Sequence, residues 1–424
     1  MRAWLAHTFR SLGHRNYRLY WTGQGISMAG NWMQGTAQMW LVYRLTHSSF
    51  LLGLTGFMSQ IPMFLLVLLG GATADRYPKK RILYITQSLS ALQSVVLAVL
   101  TLTGTVEVWH VLALAALLGL INSFDMPTRQ SFVIETVDRA VLGNAIALNS
   151  FNVNLSRMIG PAVAGICIAA WGEGVCFLLN ALSFSAVLVS LACMGPTHPP
   201  RTARPRGSPL DAIARGLAYV RSRPAISRPL ANLGLVSLVA MPYGVLMPVF
   251  ARDILHGGPR ALGILMSSVG IGAIVGAFAL ARRETPKGLG RTVGRATAAF
   301  GAMLALFSLS RSLPLSMALL ALVGFGMVTA LAGTNTLLQA LTSDDMRGRV
   351  MSLHGMMFIG MSPFGALLAG AAAARFGAPV TVEAGGLLCL AGGLWFLRSA
   401  EAGRGQSTET GSLNPEEVEV KTGT

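Results

Sequence analysis

The sequence is short of charge, and above all of negative charge: only 12% of its 424 residues are Asp, Glu, Lys or Arg, and Asp and Glu together number 17. A soluble protein of this length carries about twice that share of charge, so an ordinary cytosolic enzyme is excluded. A disordered chain is excluded too, since that requires low hydrophobicity. Cysteine is nearly absent. Cys167, Cys176, Cys193 and Cys389 lie in or beside apolar runs without CxxC spacing, which argues against a disulfide framework and for small buried hydrophobes. The seven histidines make no HExxH pair and no Cys/His cluster, so no metal or cofactor is expected. Without a GxxxxGK[ST] loop the chain does not itself hydrolyse ATP.

What the sequence has is hydrophobic length: 53% apolar residues, 48 Gly and 20 Met, with a mean hydropathy of +0.57. Crossing a bilayer takes roughly 20 apolar residues as helix. Twelve runs qualify, spans 1 to 12, at 17–43, 50–74, 82–104, 108–125, 142–170, 174–194, 229–250, 261–281, 292–310, 313–339, 350–374 and 379–397. Their glycine content suits membrane helices, where small residues let backbones approach. The first run is too long for a signal peptide and reads as an uncleaved span. A formal charge of +16 can signal nucleic acid, but only when gathered on one soluble face; here it sits in short clusters between apolar runs, and no nucleic-acid partner is expected.

Loop charge orients the spans. Of the 33 Lys and Arg, five (Arg44, Arg252, Arg260, Arg311 and Arg375) fall in the loops on one side, and Arg157 falls within span 5. All the others lie on the side of both termini, which is therefore expected to be cytoplasmic. The organisation is a cytoplasmic N-terminus (1–16), six spans (17–194), a Pro- and Arg-rich linker (195–228) with an amphipathic helix near 210–220, six more spans (229–397), and an acidic tail (398–424) expected to be disordered. The halves echo each other: Gly71-Ala-Thr-Ala-Asp75 aligns with Gly276-Ala-Phe-Ala-Leu280, and Leu142-Gly143-Asn144 with Arg347-Gly348-Arg349, both at an offset of 205. A six-plus-six repeat places a substrate site at the midplane between halves.

Several positions carry candidate chemistry. Gln24, Ser27, Asn31, Gln34 and Gln38 recur at steps of three and four, sharing one face of span 1. Amides in hydrocarbon must be satisfied, so this face lines a cavity or makes helix–helix hydrogen bonds. Asn149 and Asn152 repeat the pattern in span 5, and Asn335 and Gln339 in span 10; Met357 offers a soft apolar wall. Arg157, near mid-membrane, costs roughly 2.5–3.5 kcal/mol to insert. It either bonds structural carbonyls and amides or draws an anionic substrate group. Asp125, near the end of span 4, is the best placed acid for proton coupling, with helix capping the alternative.

The segment Gly71-Ala-Thr-Ala-Asp75-Arg76-Tyr-Pro78-Lys79-Lys80-Arg81 resembles the Gly-x-x-x-Asp-Arg-x-Gly-Arg-Lys signature of the major facilitator superfamily, with Pro78 where the second Gly is usual. Gly160-Pro161-Ala-Val-Ala164-Gly165 is similar to that superfamily's span 5 antiporter element. Asp125-Met-Pro127-Thr-Arg129-Gln130 and Asp345-Met-Arg347-Gly348-Arg349 resemble its drug:proton antiporter-3 branch of macrolide effluxers and enterobactin-type exporters. The resemblance implies an all-α polytopic membrane protein with twelve helices in two pseudo-symmetric six-helix bundles. It also implies a monomeric transporter in the bacterial inner membrane that exports a small amphiphile, drug-like or siderophore-like, by alternating access coupled to protons. Import and lysophospholipid flipping on the same fold are the alternatives. Asp75, with Arg76, Lys79 and Arg81, is implied to latch onto the N-terminus of span 11 near Arg347, Gly348 and Arg349 when the cytoplasmic side closes, since a helix N-terminus attracts a carboxylate.

Overall fold

The computed structural model describes residues 9–195, 209–283, 285 and 288–409, and among these it is helical with no strand. Spans 1 to 6 are Arg15–Thr46, Ser49–Arg76, Lys79–Leu102, Val108–Phe132, Leu142–Trp171 and Glu173–Cys193. Spans 7 to 12 are Pro224–Ile254, Gly258–Ala281, Leu289–Leu309, Leu313–Leu341, Asp344–Phe376 and Ala378–Glu409. Eleven of them are long and apolar enough to cross a membrane by composition. Span 1 falls short because of its amide row, yet Gln24, Ser27, Gln34 and Gln38 are buried inside the first bundle, which removes the penalty of facing lipid.

Local chemistry sets the breaks. Ser48 caps span 2, its hydroxyl accepting from the Leu51 amide at 3.3 Å. Gly172 (φ +81) and Gly377 (φ +87) each form the single-residue corner between consecutive spans, conformations that favour glycine. They stand 205 residues apart, the offset of the sequence echo. Span 7 is irregular: Pro242 and Pro248 lack the N–H an α-helix needs, and the chain answers with π turns at Val236–Ala240 and Phe250–Ile254 around a 3-10 segment, Met241–Leu246.

Spans 1–6 and 7–12 form separate bundles that touch along spans 5 and 8 and spans 2 and 11. Contact is tightest at the end away from the termini. There a Cβ on Gly53 would lie 2.7 Å from the Gly370 Cα, and one on Gly165 would lie 3.0 Å from the Gly263 Cα. Tyr43 also donates its hydroxyl across the halves to the Asp253 carboxylate. The contact continues inward as far as Phe64 beside Gly360 and Met158 beside Gly270. Beyond that, towards the basic face of both termini, no hydrogen bond or ion pair joins the halves among the described residues. The molecule is closed at the far face and open at the basic one.

The linker helix, Pro209–Arg221, lies across the second bundle's basic end. Val220 packs with Leu338, Val350 and Leu353, and the Tyr219 and Ser343 hydroxyls are 3.3 Å apart. Two expectations are corrected here. Span 12 runs past residue 398 to Glu409, so the tail begins as helix; residues 410–424 lie outside the described residues. Span 4 does not stop at Asp125 but continues to Phe132 with Pro127 inside it, which puts Arg129 in a span and not in a loop.

Candidate functional site

The first bundle encloses a cavity of about 420 Å³ on the side facing the second. Span 1 supplies Tyr20, Met28, Asn31, Trp32, Gln34 and Gln38; span 4 supplies Asn122, Met126, Arg129 and Gln130; span 5 supplies Asn149. Apolar surface with a few convergent polar groups is the usual make-up of a small-molecule site. The span 1 amides serve both readings at once. Facing the cavity, they are held from behind: Gln34 Nε2 donates to Gln93 Oε1 at 3.0 Å, and Gln34 Oε1 accepts from Ser94 Oγ and Asn180 Nδ2, each at 2.8 Å. This rear network fixes Gln34, Asn180 Nδ2 also reaches Asn31 Oδ1 at 3.3 Å, and Gln38 stands beside them in the cavity wall.

Asp125 lies behind the span 4 wall, 2% exposed. Thr86 Oγ1 and Gln87 Nε2 donate to its Oδ1 at 2.7 and 2.8 Å, and Arg129 Nε is 2.5 Å from Oδ2. The pair arises because Asp125 and Arg129 are one helical turn apart. The acid is thus screened from the cavity by the arginine that lines it. Gln24 and Ser27 do not reach the cavity; both are buried without a hydrogen-bond partner.

Arg157 stands on the span 5 face towards the second bundle, its guanidinium carbon 5.0 Å from the Trp32 ring centroid. Its Nε is buried without a hydrogen-bond partner. Neither Asn149 nor Asn152 holds it: Asn152 donates instead to the Trp21 carbonyl at 3.1 Å, tying span 5 to span 1. Half-buried on an aromatic face, the guanidinium keeps its planar donors available, although Arg157 borders the cavity wall at Trp32 and is not itself part of it.

The remaining expected positions lie elsewhere. Asn335 and Gln339 bond to each other at 2.5 Å, with Gln339 exposed, and they are not in the cavity wall. Met357 packs towards Gly234 of span 7 and the layer under the linker helix. Gly160 lies against Ala29 and Trp32 of span 1, while Pro161 and Gly165 meet span 8, so the span 5 element is a joint between helices. In the span 2–3 segment, Asp75, Arg76 and Arg81 are exposed, and Asp75 has no partner among the described residues. Arg347 pairs with Asp344 at 2.6 Å and Arg349 donates to Met346 Sδ at 3.0 Å. The two gate elements are therefore apart, as an open basic face requires. A Cβ on Gly71 or Gly348 would meet nothing within 4 Å; Gly70 is the one packed against span 4, at Ser123. Lys79 makes a buried 2.7 Å ion pair with Glu135, a structural role that loop charge alone did not show.

Arg129, Tyr20, Asn122 and Gln130 are site residues that sequence reasoning missed. Asp125-Met-Pro127 reads as a helix end because proline removes a donor; the i,i+4 spacing of Asp125 and Arg129 was the available signal for continuation.

Two six-helix bundles in contact at one face, open at the other, with a largely apolar cavity that carries a few amides, define a transporter of the major facilitator type. The chain belongs to that superfamily's transmembrane secretion effector family, whose sequence profile matches residues 6–421. Family and relatives are transporters, not enzymes. It is 28% identical to the staphyloferrin A transporter of Staphylococcus aureus, over 85% of this chain and 90% of that protein. It is also 28% identical to the multidrug efflux pump Tap of Mycolicibacterium fortuitum, over 81% and 85%. Its fold superposes on a bacterial homologue of the lysosomal transporter Spinster, inward-facing and unoccupied, with a TM-score of 0.68, 13% identity, and coverage of 92% and 96%.

Proposed function

We propose that this protein exports a small amphiphile with anionic or acceptor-rich groups, siderophore-like or drug-like, from the cytoplasm of a bacterial cell. It works as a monomer in the inner membrane with both termini cytoplasmic, by alternating access coupled to protons through Asp125. The observation that carries the substrate class is the unpaired guanidinium of Arg157 beside the cavity. Arg129 lines the cavity and Arg157 sits on Trp32, while Asp125, the acid beside Arg129, is already paired with it. Simple organic cations find no carboxylate among the described residues of the cavity wall; an anion finds an unpaired guanidinium beside it. The relatives named for a siderophore and for multidrug efflux support the same class.

Arg157→Gln tests it. Thermal-shift screening of the purified protein against anionic, neutral and cationic amphiphiles is expected to select anionic or neutral ligands, and the Gln variant should lose the anionic ones while remaining folded. A folded variant with unchanged affinity and transport rate would confine Arg157 to a structural role. Transport in everted against right-side-out vesicles decides direction, with uptake into everted vesicles expected.

A further inference from the structure

Outside the central cavity, each bundle carries a groove on its lipid-facing side near the basic face. The first, about 540 Å³, lies between spans 2, 3 and 4. Its walls are apolar side chains turned outward, among them Ile85 and Leu120, 53% and 39% exposed, with Tyr77 and Arg81 at the mouth. The second, about 350 Å³, lies between spans 8, 9 and 10, with Phe325, Ala279 and Ala299 as walls and Arg283 and Arg295 at the mouth. The grooves are related by the repeat: Phe325 and Thr329 of the second stand 205 residues after Leu120 and Phe124 of the first.

The chemistry differs between mouth and floor in a way that fits one kind of occupant. Arg295 is six residues into span 9 and Arg283 two past the end of span 8, so both residues lie within roughly 9 Å of the helix ends along the axis, where long basic side chains reach the headgroup layer. Neither pairs with a carboxylate among the described residues. Below them the walls are apolar and open sideways to the acyl chains. A free anion would use the mouth and leave the slot empty; a neutral lipid would use the slot and leave two cations unanswered. Basic pockets between membrane helices suit anionic headgroups.

We propose that the groove between spans 8, 9 and 10 is a binding site for an anionic phospholipid of the leaflet at the basic face, its phosphate held by Arg283 and Arg295 and an acyl chain lying along Phe325 and Ala299. The groove of spans 2, 3 and 4 is its pseudo-symmetric partner, with Arg81 alone at the mouth and a longer apolar slot. The second groove is the more selective for charge.

The test uses the full-length transporter, reconstituted with phosphatidylglycerol or phosphatidylcholine and released for native mass spectrometry. Wild type is expected to retain phosphatidylglycerol preferentially. Each arginine is worth about fivefold in attraction to an anionic lipid, so the double variant Arg283→Gln/Arg295→Gln should lose roughly thirtyfold of that preference at one site and keep its phosphatidylcholine. Ala299→Trp, which fills the slot without touching the charge, should remove one bound lipid of either kind. Undiminished phosphatidylglycerol retention by the double variant, or by Ala299→Trp, overturns the site. Displacement of phosphatidylglycerol by millimolar inorganic phosphate also overturns it, because the mouth would then be a free-anion site.

Discussion

The far-face closure rests on backbone meeting backbone, which makes it sensitive to a single methyl group. A Cβ at Gly53 would lie 2.5 Å from the Ala366 carbonyl oxygen and 2.7 Å from the Gly370 Cα; one at Gly165 would lie 2.9 Å from the Pro259 oxygen and 3.0 Å from the Gly263 Cα. None of these atoms can rotate away, so the halves must separate at that face. Overpacking of this kind costs about 1–3 kcal/mol. The methyl clashes only while the far face is shut, so the whole cost falls on the state open to the basic face. That shifts the balance towards the opposite state by roughly five- to 150-fold. Gly143→Ala is the control, because a Cβ there meets nothing within 4 Å. Spin labels at Tyr77, just past the basic end of span 2, and Ser352, on the basic half of span 11, both exposed, report the opening by electron–electron double resonance. Gly53→Ala and Gly165→Ala are expected to move the distribution to shorter distances, and Gly143→Ala to leave it unchanged. If both variants fold and reproduce the wild-type distribution, these glycine crossings do not set the closed far face.

Three further outcomes follow from named contacts. Cys193 is the one exposed cysteine among the four, at the basic end of span 6, so an impermeant maleimide should label native protein in everted vesicles and not in intact cells. The opposite pattern would invert the proposed orientation. Asp75→Asn should leave the open state untouched, since Asp75 has no partner in it, and destabilise only the closed basic face, raising basic-mouth accessibility severalfold; unchanged accessibility would remove Asp75 from the latch. Lys79→Gln leaves Glu135, 4% exposed, charged and unpaired, and should cost about 3–5 kcal/mol of stability, whereas Lys79→Gln/Glu135→Gln should recover most of it. A melting temperature unmoved by the single change would show the pair contributes nothing.

The fold was legible because membrane helices announce themselves by length and loops by charge; the 205-residue echo seen in Gly71–Asp75 returned in the corners at Gly172 and Gly377. The site was legible only in part. Periodicity showed that Asn31, Gln34 and Gln38 share a face, but not that Gln93, Ser94 and Asn180 would back them, since those partners come from other helices. It could not separate Gln24, buried in the bundle, from Gln38, which reaches the cavity. Proline at 127 hid Arg129, because a local rule about donors was overridden by the packing of spans 3 and 4 around Asp125. Asn335 and Gln339 had the right residue types at the right spacing on a helix whose cavity face is elsewhere.

If coupling runs through Asp125 as proposed, its pairing with Arg129 sets the sign to be tested. While Asp125 is ionised, the charge of Arg129 is already answered at 2.5 Å; with a proton on Asp125, Arg129 is left to seek another anion. Linkage is reciprocal, so a substrate anion seated on Arg129 would favour a proton on Asp125, and the two would load together. Exchange of proton for substrate needs the reverse. The anionic group must sit on Arg157, and its binding must favour the arrangement in which Asp125 stays ionised on Arg129. For the ligand found by screening, exchange predicts affinity that rises with pH, by at most about tenfold per unit for one proton. The dependence should flatten in Asp125→Asn, measured by calorimetry on reconstituted protein at a series of pH values. Affinity that instead rises as pH falls, and loses that dependence in Asp125→Asn, would mean that proton and substrate travel together, and the export reading would have to give way to uptake.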